Sequence, residues 1–229
     1  MAPNITKILL LNEDDSGTRT PIYTSGVNSA SPESARDSKS PRLPPELTLF
    51  SNSFPFTPIG PARDVQEKIQ SYLPSWDRAV SLSEIYLEKA AWLFRAVSRP
   101  QLMNEMLPII YKRSAPLDPA HEYSGPHDLS VLFMVFAVGA LVDLTQEPYN
   151  AEADHYYQLA KAAITLQSVL EKPELATIQA LHLMSIYNAM HQPVEEDGEC
   201  ETSMEMSWSL IRLCHQLAQT VSLMDILPP

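Results

Sequence analysis

Cysteine is scarce in this chain. Only Cys200 and Cys214 occur in 229 residues, too few for a disulfide framework, and such usage fits a reducing compartment. The two stand 14 positions apart and cannot form a zinc site without distant histidines. Glycine is nearly as sparse: beyond Ala62 the only examples are Gly125, Gly139 and Gly198. That excludes a phosphate-cradling loop and a Gly-x-Ser-x-Gly nucleophile elbow from that part of the chain. Long hydrophobic runs are missing too. The longest strongly apolar stretch, Leu129 to Val142, holds 14 residues between Asp128 and Asp143. As a helix it spans roughly 21 Å, short of the ~30 Å hydrocarbon core, so it reads as a buried core helix and not a membrane span. Ile8-Leu9-Leu10-Leu11 is too short for a secretory leader, and Asp14-Asp15 follow it. A soluble chain is expected. Basic charge is the last thing in short supply: 16 Lys and Arg against 28 Asp and Glu leave a net charge of −12. The cations are scattered with no run among them, so phosphate backbones would on average be repelled and direct nucleic-acid binding is not expected.

What the chain does contain falls into two parts. Residues 1–61 are rich in Ser, Pro, Thr and Asp without a sustained period of 3.6 or 2. Such a segment buries too little apolar surface to offset its chain entropy, and a disordered tail is predicted. Its Thr20-Pro21, Ser31-Pro32, Ser40-Pro41 and Thr57-Pro58 pairs read first as turn dipeptides, although a proline-directed kinase could also modify them.

Residues 62–229 change to helical periodicity punctuated by proline. A helix is predicted from Ala62 to about Tyr72, stopping before Pro74. A second is capped by Ser75 and runs to about Phe94, unless the capping box at Ser81-Leu82-Ser83-Glu84 starts it later. Ser98-Arg99-Pro100-Gln101 opens a third, which Pro108 should kink or end. The segment Ser114 to Pro126 reads as a loop and is followed by the buried helix from about His127 to Leu144. Ala151 to Leu170 is amphipathic, with Tyr156, Leu159, Ala163, Leu166 and Leu170 on one face and Gln158, Lys161, Thr165 and Ser168 on the other. Next comes a run without Asp, Glu, Lys or Arg, Leu175 to Val194, whose helix offers water no charged face. The three-residue link Glu171-Lys172-Pro173 predicts that it packs antiparallel on its predecessor. Glu195-Glu196-Asp197-Gly198-Glu199 reads as a solvated loop. A final helix from about Glu201 to Leu223 places Leu210, Ile211, Cys214, Leu217, Ala218 and Val221 on one face. No strand pattern of useful length occurs. The expected fold is all-α: an irregular multi-helix bundle, residues 62–229, preceded by the disordered tail, residues 1–61.

Catalytic chemistry finds little support. The histidines are His121, His127, His155, His182, His191 and His215, with no pair at i+3 or i+4 and no Cys-x-x-Cys; a Glu-x-x-His metal spacing is not expected either. Cys214 lies in an apolar helical stripe, where a thiol behaves as a small hydrophobe with a raised pKa. Cys200 sits between Glu199 and Glu201, which also disfavour the thiolate. The acidic loop fails the calcium-loop spacing, and no aspartate cluster lies on a helix. No catalytic, cofactor-binding or metal residue is assigned, and no enzyme is expected. Gln179 and His182, the polar members of the charge-free helix, are the candidate places for an internal hydrogen bond or a ligand contact.

The helical wording carries a resemblance. Leu73-Pro74-Ser75, then Ile85-Tyr86-Leu87-Glu88 and Leu93-Phe94, resembles the opening helix of the fungal-specific transcription factor domain, the regulatory middle region of fungal binuclear zinc-cluster transcription factors. Ala153-Asp154-His155-Tyr156-Tyr157 with Leu159-Ala160-Lys161 is similar to its next helix. Leu175-Ala176-Thr177-Ile178-Gln179-Ala180-Leu181 resembles its most diagnostic one, and Ser207-Trp208-Ser209-Leu210-Ile211-Arg212-Leu213 the one after. The ordered set covers roughly Leu73 to Leu223, the N-terminal half of that domain. The six-cysteine cluster that reads DNA in these factors is absent from this chain, and Pro228-Pro229 stand where further helices usually follow.

The resemblance implies a non-catalytic regulatory module of a nuclear regulator of RNA polymerase II transcription. Its partners would be proteins of the transcription machinery or a second copy in a homodimer, with a small-molecule effector sensed in a helical cavity. Zinc would belong to the family's cluster alone, and no cofactor is expected here. Two other readings compete: a helical scaffold unrelated to transcription, and an all-α enzyme. A scaffold of the α-solenoid kind would show a repeat of about 33 to 47 residues, which is not seen; an enzyme would need the site that could not be assembled.

Overall fold

Two apolar stretches decide the architecture because neither has a polar side to give to water. In the computed structural model, which describes residues 43–93, 95–115, 123–148, 150–191 and 201–226, the first is helix α5, Pro126–Leu141. Every residue from Leu129 to Ala140 is buried, which requires neighbours on all sides. Helix α3 (Trp76–Lys89), helix α6 (Ala151–Ile164) and helix α7 (Leu175–Met190) supply them. Helix α8 (Glu201–Ile226) lies on α7. Among the described residues every regular element is helical, an all-α fold as expected, and no described helix is long and apolar enough to cross a membrane.

Local signals place most of the helix starts. Ser75 caps α3 by accepting from the Arg78 N–H at 3.4 Å, and Ser98 accepts from Gln101 N–H at 3.3 Å. Asn150 caps α6 and holds it to α5. Its Oδ1 accepts from Ala153 N–H at 2.8 Å, while its Nδ2 donates to the Ala140 carbonyl at 2.8 Å. One side chain thus satisfies an orphan donor of α6 and ties it to a carbonyl at the end of α5. Arg78 ties the same corner together: it forks onto Glu152, which also accepts from Tyr156 Oη, and stands 3.8 Å from Asp143. Asp143 is buried, yet its carboxyl is held below the usual range, first by the Thr145 hydroxyl and backbone and then by Arg78. An aromatic trio, Phe133, Phe136 and Tyr156, with centroids 5.6 to 6.2 Å apart, fills the α5–α6 seam.

Four expectations are corrected. First, the chain is folded before Ala62. Helix α1, Pro45–Ser53, precedes helix α2, Ala62–Gln70, and packs against α6 with Leu47, Phe50 and Ser51 buried. Ser51 Oγ donates to Gln158 at 2.6 Å, and Thr165 Oγ1 lies 3.1 Å from the Phe50 carbonyl. The side of α6 predicted to face water is therefore partly covered by α1, and only the remainder of the predicted tail, residues 1–42, lies outside the described residues. Second, α6 ends at Ile164, so the link to α7 runs from Thr165 to Glu174 and does not enforce a hairpin. α7 packs chiefly on α5 and α8, touching α6 at few points. One of these is a ring stack, Tyr157 on Tyr187, with centroids 4.4 Å apart. Leu170, now beyond the helix, is exposed.

Third, α3 stops at Lys89, where the chain turns through Ala90 to Leu93. Fourth, Pro108 does not end its helix. A π-helical segment, Pro100–Met106, precedes it, with the Leu107 N–H donating to the Leu102 carbonyl, and helix α4, Leu107–Ile110, carries on past it. The wider turn accommodates a residue that has no N–H to give. The loop residues 116–122, His121, Cys200 and the acidic segment Glu195–Glu199 lie outside the described residues.

Candidate functional site

The charge-free helix α7 begins after Pro173 because the first turn has a ready acceptor: Thr177 Oγ1 accepts from the Glu174 N–H at 2.9 Å. The same hydroxyl sits 2.7 Å from Nδ1 of the buried His127. His127 Nε2 faces the carbonyls of Ile164 and Gln167, each at 3.2 Å. Carbonyls only accept, so the proton belongs on Nε2, and Nδ1 accepts from Thr177. Burial pushes the His127 pKa down, against smaller upward pulls from the Gln167 carbonyl and Glu174. A neutral ring therefore bolts together the start of α5, the end of α6 and the start of α7.

One turn further along α7, Gln179 does what a polar group in a core must. Its Nε2 donates to the Ala96 carbonyl at 2.8 Å, and its amide exchanges hydrogen bonds with that of Gln101 at 3.1 Å. Gln179 is thus an internal clamp on the segment joining α3 to the π-helical turn. His182, three residues on, is half-buried with its pKa lowered by desolvation; it makes no hydrogen bond through its ring with a described residue. Neither side chain lines the cleft that this segment helps to form.

The segment that Gln179 clamps forms one wall of a cleft of about 320 Å³. Leu87, Ala91 and Val97 supply its apolar lining, and Trp92, Arg95, Ser98 and Arg99 its exposed parts. The wall is fixed from three directions. Besides Gln179, the buried Tyr86 hydroxyl, its pKa pushed up to about 12 by desolvation, is hydrogen-bonded to the Val97 backbone. Arg99 forks onto Glu84 at 2.8 and 2.6 Å. Arg95 makes no ion pair with any described residue. An apolar floor beside an uncommitted guanidinium suits an apolar group carrying a carboxylate or similar anion. Ser98 Oγ is already engaged as the acceptor for the Gln101 N–H at 3.3 Å.

Other candidates are spent on structure. One Glu-x-x-His spacing corrects the expectation that none occurs: Glu152 and His155 on α6, where Glu152 is held by Arg78 and His155 packs edge-on against Tyr72 at 5.6 Å. Cys214 is half-buried against the Ile178 carbonyl at 3.7 Å, and burial pushes its thiol up to about 11, as its apolar stripe predicts. The cleft went unanticipated because Arg95 and Arg99 meet Leu87 only through the turn after Lys89; Ser98-Arg99-Pro100 advertised a helix start and nothing more.

A family model for the fungal-specific transcription factor domain matches residues 84–225, more than half of the chain. The chain belongs to that family. No curated protein and no solved structure matches it. The fungal-specific transcription factor domain match starts inside α3, includes the cleft and runs through the charge-free helix into α8. Its description is that of a regulatory region of transcription factors and not of an enzyme family, which makes transcription regulation the biological setting of this fold.

Proposed function

We propose that this chain is a non-catalytic regulatory and interaction module of a nuclear regulator of RNA polymerase II transcription. The family match over residues 84–225 is the observation that carries this reading. The net charge of −12 supports it, because a body of that sign attracts basic protein surfaces and is repelled by DNA. In this reading the module contacts proteins of the transcription machinery or a second copy of itself, contributes no cofactor, and leaves DNA reading to a separate zinc cluster. A small-molecule effector, where one acts, is an apolar anion taken up in the Arg95 cleft, with Gln179 and His182 reporting on it through α7.

The test is a reporter assay with the whole chain fused to a foreign DNA-binding domain. The fusion is expected to raise or lower transcription relative to the DNA-binding domain alone, and the Arg95→Glu variant to alter any metabolite response. A fusion that leaves transcription unchanged across added partners and apolar acids overturns the proposal.

A further inference from the structure

Helix α8 buries one stripe and leaves another bare. Ser207, Leu210 and Leu217 are buried on the side that meets α7. Away from them, Met204, Trp208 and Ile211 are 44 %, 59 % and 44 % exposed. Their spacing, i, i+4 and i+7, is the narrow 3.5-residue seam of helices that pair with other helices. Part of the predicted core face of this helix is therefore misplaced: Ile211 lies on the exposed seam and not with Leu210 and Leu217.

Two charges flank the seam on one side. Glu205 and Arg212 follow Met204 and Ile211 by one residue each, a heptad apart, so they lie along the same edge of the helix. Neither makes an ion pair with a described residue. A two-fold axis passing between Trp208 and Ser209 lies equally far from both. An antiparallel copy of α8 related by that axis sets Glu205 of each chain beside Arg212 of the other, twice, and covers the Met204–Trp208–Ile211 seam with its own equivalent. In a parallel pair the two-fold runs along the helices and sets this edge of one copy on the opposite side of the seam from the same edge of the other, so Glu205 and Arg212 meet no opposite charge there. The seam is self-complementary in one orientation only.

We infer that α8 is the surface through which two copies of this chain pair, antiparallel about Trp208. This inference deepens the regulatory reading, which names a second copy among the partners, by assigning the surface that such a copy would meet. A single helix face is a small interface, so the dissociation constant is expected on the order of micromolar.

Sedimentation equilibrium of the full chain at about 1 to 200 μM provides the test, over a range chosen to bracket that constant. A monomer–dimer equilibrium is expected. Trp208→Glu abolishes it without changing the helical circular dichroism, because the side chain is exposed. Glu205→Arg and Arg212→Glu each weaken pairing roughly tenfold by opposing like charges, and the double variant Glu205→Arg/Arg212→Glu restores it. A monomer at every concentration overturns the inference, as does a dimer indifferent to Trp208→Glu, association without a dimer plateau, or a charge exchange that fails to restore pairing. Loss of the reporter response in a chain that still dimerises would count against the regulatory role alone.

Discussion

The backbone of Gly139 in α5 lies so close to that of Leu82 in α3 that a β-carbon at Gly139 would stand 2.4 Å from the Leu82 carbonyl oxygen. The obstacle is main chain and cannot swing aside. In an exposed helix, replacing Gly by Ala gains about 1 kcal/mol; here the sign reverses. Gly139→Ala is expected to cost about 1–3 kcal/mol by forcing the two helices apart. A lower urea midpoint at unchanged slope would register it. An alanine variant as stable as the parent would mean that the two helices are free to separate. Because α3 carries Leu87, the same displacement should disturb the cleft.

His127 makes stability depend on pH. Its folded pKa lies below the ordinary value of about 6.5 because burial penalises the imidazolium. Between those two values the unfolded chain binds a proton that the folded chain refuses, so stability rises with pH across that window. The contribution is fully present above about pH 6.5 and is lost as pH falls through the lowered folded value. His127→Gln, which keeps a donor near the Nε2 position, should flatten this dependence. It should also lower stability at neutral pH by about 1–3 kcal/mol, through the bond lost to Thr177. Chemical denaturation of both proteins at a series of pH values tests the pair of effects. Parallel curves for the two proteins would refute the assignment.

What could be read from the chain, and what could not, divides along local and non-local causes. α5 and α7 were legible because a helix without charge must be enclosed, whatever encloses it. Ser75 and Ser98 were legible because capping serines have few things to do. Helix α1 was not: Leu47, Phe50 and Ser51 make one apolar turn in Ser/Pro-rich surroundings, and their stabilisation comes from α6, more than a hundred positions away. The end of α6 was misplaced because Leu166 and Val169 are buried although they lie beyond the helix, so the hydrophobic pattern outlasted the hydrogen bonding that defines it. The cleft left no trace in the sequence, since the turn that builds it is not encoded by any spacing of its lining residues.

The Gln179–Gln101 pair offers the sharpest check on the candidate site. Removing one amide strands its partner and, for Gln179, the Ala96 carbonyl as well, so Gln179→Ala is expected to cost about 1–3 kcal/mol. Gln101→Ala should cost less, because Gln179 keeps its bond to Ala96. The two losses share one interaction. The double variant should therefore fall short of their sum by about 0.5 kcal/mol or more, whereas distant sites add. Denaturant unfolding of the four proteins gives that difference directly, and strict additivity would show the pair to be idle. His182→Ala, at a half-buried ring without a hydrogen bond to a described residue, serves as the comparison and should cost less. Amide exchange at Ala96 to Arg99 adds a local readout. It should quicken in Gln179→Ala and not in His182→Ala, because Gln179 is bonded to that wall through the Ala96 carbonyl and His182 is not.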